Sequence, residues 1–86
     1  MDTFRLRDRD LVWREVGDEI IILDMRASIY ATVNDSGRLL WLRLADGASL
    51  DELVQMLERE YELDAVDARR DAETFLKSLQ SRELLA

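Results

Sequence analysis

The chain has 86 residues, enough for one domain and too few for a second core. Apolar residues make up 48% of it, which sets it apart from disordered chains even though 36% of the residues are charged. Cysteine and histidine are absent, which excludes thiolate nucleophiles, disulfides, thiolate or imidazole metal sites and an imidazole base; a net charge of −7 disfavours a phosphate backbone as partner.

Residues 1–10, Met1 to Asp10, alternate charges instead of forming an apolar run, so they read as an N-terminal arm to a domain over 11–86. No apolar stretch approaches the ~20 residues of a membrane span, and a cytoplasmic location is expected. Leu11 to Val16 mixes apolar and charged residues, Glu19 to Leu23 is an isoleucine-rich run, and Gly17-Asp18 between them is a two-residue hairpin signal. Asp24 to Ala27 leads to Ser28-Ile29-Tyr30-Ala31-Thr32-Val33, a β-branched and aromatic segment in which Ile29, Ala31 and Val33 share one face. The short loops predict a three-stranded antiparallel meander.

Asn34, Asp35 and Ser36 can each cap the next element, a helix that carries Leu39, Leu40, Trp41, Leu42 and Leu44 and stops at Asp46-Gly47. A second helix starts at a capping box, Ser49 with Glu52, and sets Leu50, Leu53, Val54, Leu57 and Tyr61 at helical spacing. A third opens near Asp64 to Asp67 and puts Ala68, Ala72, Phe75, Leu76 and Leu79 on one stripe, ahead of Leu84-Leu85. The order β-β-β-α-α-α makes an α+β domain.

Little here points to catalysis. Asp51, Glu52, Glu58, Glu60, Glu62, Asp64 and Asp67 face Arg59 alone across one stretch, and they read as the solvated faces of amphipathic helices. There is no Gly-rich phosphate loop, and no cofactor or metal site is expected. Asp35-Ser36 invites comparison with acyl and peptidyl carrier proteins, but Gly37 stands where those carry Leu, and a strand-rich first third has no place in an all-helical carrier. Arg69 and Arg70 at the start of the third helix are the support for a winged-helix nucleic-acid binder, and they follow the most acidic stretch of the chain.

A sheet edge carries more information. Both outer strands of a meander are edges, and edges are ordinarily guarded by charge, Pro or a bulge. The first strand carries Arg14 and Glu15, whereas Ser28 to Val33 carries no charge and no Pro. Either a helix or a partner copy covers that edge, or an extended peptide adds to it as a further strand. Tyr30 and Trp41 are core residues in the ordinary reading, and Tyr30 on the unguarded strand offers an aromatic contact with a polar tip.

Leu23-Asp24, Tyr30, Val33-Asn34, Ser36-Gly37, Leu40-Trp41, Leu44, Asp46-Gly47, Glu52-Leu53, Leu57, Tyr61, Asp71, Phe75-Leu76, Leu79 and Leu84-Leu85 together resemble the PqqD family. The resemblance runs from Leu11 to the end. It implies a winged helix-turn-helix-like fold that recognises the leader segment of ribosomally made precursor peptides, with the leader paired to the third strand and lying between it and the third helix. The residues so implied are Ile29, Tyr30, Ala31, Thr32 and Val33 on the strand and Ala68, Asp71, Ala72 and Phe75 on the helix. The string Ile22-Leu23-Asp24 in a free-standing domain is most similar to the discrete leader-binding proteins of lasso-peptide pathways. That likeness implies a precursor peptide, a cysteine-protease-like leader peptidase and an ATP-dependent macrolactam synthetase as partners, with no membrane, no nucleic acid and no catalysis by this chain. Val33 where the family has Leu, and Ala31 where a second aromatic is common, are departures that bear on the shape of the leader pocket.

Overall fold

The computed structural model describes residues 2–86. Three strands, β1 (Leu11–Val16), β2 (Glu19–Asp24) and β3 (Ile29–Asn34), precede three helices, α1 (Asp35–Asp46), α2 (Leu50–Tyr61) and α3 (Ala65–Ser81). The sheet is the expected antiparallel meander in the order β1-β2-β3. Gly17 takes φ +60, matching a type II′ hairpin turn, and the register that follows pairs Val16 with Glu19 and Leu11 with Asp24. Ile20 and Ile22 are buried on the helix side of β2 while Leu23 is exposed on the other, so one sheet face meets the core and one meets solvent.

The helix boundaries follow local chemistry. Ser49 accepts a hydrogen bond from the Glu52 N–H and donates its own backbone N–H to the Glu52 carboxylate, closing the capping box of α2. Asp64 caps α3 by accepting from the Asp67 N–H. The start of α1 differs from the expected side-chain cap. Asn34 makes no capping bond, and the chain turns there through Asp35 in the left-handed region at φ +51.

Trp41, Leu40 and Leu44 of α1, Leu53 and Leu57 of α2, and Ala68, Ala72, Leu76 and Leu79 of α3 close the core over Ile20 and Ile22. Trp41 has no accessible surface and meets Trp13 of β1 in a T-shaped pair, with ring centroids 6.1 Å apart at 85°. Residues of the expected arm are held against this core. Phe4 bridges to Ala48, Leu6 is buried and bridges to Leu85, and Arg7 is buried, while Met1 lies outside the described residues.

Candidate functional site

The edge of β3 is the origin of the site. The Met25 N–H donates to the Asp10 carbonyl at 2.9 Å, one step beyond the Leu11–Asp24 pair, so the odd-numbered residues of β2 bond to β1. The even ones, Ile20, Ile22 and Asp24, must then bond to their β3 partners Val33, Ala31 and Ile29. That parity leaves the backbone N–H and C=O of Tyr30 and Thr32 pointing away from the sheet. Neither carries a charge or a bulge to guard them.

Side chains divide the other way. Ile29, Ala31 and Val33 share the face of Ile22 and Ile20 and look towards the helices, Ala31 and Val33 half-buried. Tyr30 is 67% exposed and stands on the opposite face, in a row with Val12 and Leu23. It therefore offers its backbone to the edge, and its ring does not enter the valley beside β3.

The far wall of that valley is α3, running antiparallel to β3. Near Ile29 a cleft of about 270 Å³ is lined by Ile22, Asp24, Ala27, Ile29 and Ala31 on the sheet side, and by Ser81 and Arg82 through Leu84 on the helix side. Near Ser36 a shallower hollow is lined by Ser36 and Leu40 of α1 and by Asp71, Thr74, Phe75 and Ser78 of α3. Between them Phe75 lies against Gly37, where an added Cβ would sit 3.3 Å from the ring and 3.6 Å from Val33 Cβ. Glycine at this position lets α1, α3 and the end of β3 meet.

Of the helix residues expected in the site, Asp71 and Phe75 line the valley. Ala68 and Ala72 do not, since both have no accessible surface and lie in the core, where α3 packs on α2. Their small side chains let the two helices approach. Thr74, Ser78, Ser81 and Arg82 take the places on the wall; Thr74 and Ser78 each stand one position before a stripe residue, Phe75 and Leu79, and that offset is their signal in the sequence.

Asp24, on the sheet side of the cleft, belongs to a buried ion pair that composition did not suggest. Arg7 Nη2 donates to Asp24 Oδ1 at 2.6 Å, with both side chains almost wholly buried. This hydrogen bond holds the Asp24 carboxyl below the usual carboxylate range, against burial, and the backbone N–H groups of Ala27 and Arg26 act in the same direction. The other ion pairs among the described residues are more exposed. Arg69 meets Asp51 and Arg70 meets Asp67, so the two arginines that favoured nucleic acid are each engaged with a carboxylate. Among the described residues there is no cluster of metal-ligating side chains and no helix long and apolar enough to cross a membrane.

Comparison with known proteins fits this geometry. The family model for PqqD, the coenzyme PQQ synthesis protein D, matches residues 19–85. The chain belongs to the PqqD family. Two solved structures superpose over nearly its whole length. One is TbiB1 in complex with the TbiA(beta) leader peptide, with a TM-score of 0.86, 27% identity, and 94% of this chain and 93% of that one covered. The other is lasso peptide synthetase B1 complexed with the leader peptide, with a TM-score of 0.84, 32% identity, and 96% of each chain covered. No curated protein matches the sequence. Both of those structures hold a leader peptide, and in this chain β3 with the valley beside it is an open edge.

Proposed function

We propose that this PqqD-family chain binds the leader segment of a ribosomal precursor peptide, of the lasso class, and acts in the cytoplasm as a recognition element without catalysis of its own. The leader adds to β3 as a fourth strand, bonded to the outward N–H and C=O groups of Tyr30 and Thr32. Its inward side chains lie over Ile29, Ala31 and Val33 and against the α3 wall of Asp71, Thr74, Phe75 and Ser78. The bound leader is then delivered to a cysteine-protease-like leader peptidase and a macrolactam synthetase. The observation that carries this reading is the unguarded β3 edge opening on an apolar valley in a chain so similar to two leader-bound proteins.

Fluorescence anisotropy with a labelled synthetic leader of a lasso precursor peptide tests it. Saturable binding is expected, together with exchange protection of the amides of Tyr30 and Thr32 in the complex. Absence of binding, or protection confined to another face, would refute it. ATP or precursor turnover by the pure chain would refute the non-catalytic part.

A further inference from the structure

Arg7 lies before the span matched by the family model, yet it is one of the most connected side chains of the protein. Its Nε donates to the Arg9 carbonyl at 2.8 Å, Nη1 to the Glu83 carbonyl at 2.7 Å, and Nη2 to the Asp10 carbonyl at 3.1 Å and to Asp24 Oδ1 at 2.6 Å. Its backbone N–H donates to the Leu84 carbonyl at 2.7 Å. Asp24 Oδ1 in turn accepts from the N–H groups of Arg26 and Ala27. One guanidinium and one carboxylate thus join the segment before β1, the β2–β3 turn and the segment after α3.

Those are the walls of the cleft. Asp24 and Ala27 stand on its sheet side, Glu83 and Leu84 on its helix side, and Arg7 ties one side to the other. Helix packing does not set this spacing, because α3 packs mainly on α2 and the sheet meets α1. A fork of planar donors fits the task, since it fixes several acceptors at once and a flexible ammonium cannot.

We propose that Arg7 is a positioning residue of the leader site, one that holds the cleft at the width a leader side chain fills before the peptide arrives. The proposal rests on the leader-binding reading. Affinity then depends on Arg7 through preorganisation of the cleft, with no contact between Arg7 and the peptide.

The test is the double variant Arg7→Met with Asp24→Asn in the whole chain. Asparagine keeps the acceptor for Arg26 and Ala27 and the shape of the wall, and no lone charge is left buried. The probe is the fluorescein-labelled leader with an alanine scan along it. The double variant is expected to melt cooperatively, to bind about ten-fold more weakly through faster dissociation, and to lose the cost of alanine at the one leader position seated in the cleft. A merely structural role would scale the whole scan evenly. A folded double variant with the parent's affinity and scan overturns the proposal, and so does an evenly scaled scan. Should the double variant fail to fold, Arg7→Lys keeps the charge beside Asp24 but cannot reach the same acceptors, and the same two readouts decide. A parent protein that binds no leader overturns both readings, whereas a binding parent matched by its variant overturns this one alone.

Discussion

Strand addition at β3 makes opposite predictions for two adjacent residues. Proline at position 32 removes an N–H that points away from the sheet, and the Thr32 side chain is exposed, so the core is untouched. Folding should change little. A leader paired along this edge would lose the bond to that N–H, and the ring would push its backbone off the neighbouring carbonyl. At ~1 kcal/mol net for each of about two bonds, binding should weaken by ~2 kcal/mol, a factor of about 30. Proline at position 31 instead removes the bond that Ala31 gives Ile22, a residue with almost no exposure. An orphaned carbonyl there costs ~1–3 kcal/mol of stability, and the loss should appear in the melt before any peptide is added. Circular dichroism melts and anisotropy titrations separate the two. Parental leader affinity in a folded Thr32→Pro protein, or a parental melt for Ala31→Pro, would refute the parity of the edge and the strand-addition model with it.

Trp41→Ala should cost ~3–5 kcal/mol, because the ring is wholly buried against Trp13 and its neighbours cannot collapse into the space. A melt like the parent's would contradict that packing. Ser49→Ala opens the capping box and should cost ~1 kcal/mol in a denaturant titration, whereas Ser49→Thr should cost little. The Asp24 carboxyl titrates below its ordinary value of 3.8 in the folded protein, first because of the bond from Arg7. The unfolded chain therefore takes up the proton first as the pH falls, so the contribution of Asp24 to stability is present above 3.8 and lost as the pH drops through the lower folded value. Asp24→Asn should flatten the acid limb of the stability curve. An unchanged limb would mean that the pair does not govern it.

Local signals carried most of the fold. Gly17 takes the positive φ that a two-residue hairpin turn needs, Ser49 and Glu52 satisfy each other three residues apart, and Asp64 caps the turn that follows it. Each of these is decided within four residues, so a reader of the sequence sees the whole interaction. Asn34 was equally suggestive as a cap and makes no such bond, because the backbone at Asp35 turns left-handed between strand and helix. Three residues in a row could cap by type alone, and which backbone conformation joins β3 to α1 is not a property of that tripeptide.

The elements of the proposed site differ in how far the sequence shows them: the strand edge is legible, the helix wall only in part. An uncharged edge announces itself by composition, but which of its residues face outward depends on the parity fixed by the hairpin two strands away. On α3 the periodicity finds Ala68, Ala72, Phe75, Leu76 and Leu79, and a stripe marks the face a helix hides, which holds for all of these but the half-buried Phe75 at its margin. The face beside a groove is the flank of that stripe, here Asp71, Thr74, Phe75 and Ser78, whose mixed polarity looks like ordinary surface until β3 is placed opposite. Arg7 shows the same limit more sharply. Inside a run of alternating charges it reads as solvated, and its burial becomes intelligible only when Asp24 and the Glu83 carbonyl, one 17 and the other 76 residues along the chain, converge on it. The proposed peptide site, drawn from a strand edge, a helix flank and a distant ion pair, is thus visible in sequence to the extent that each part is local. The edge is the most local of the three, and a proline at Thr32 tests it without disturbing the others.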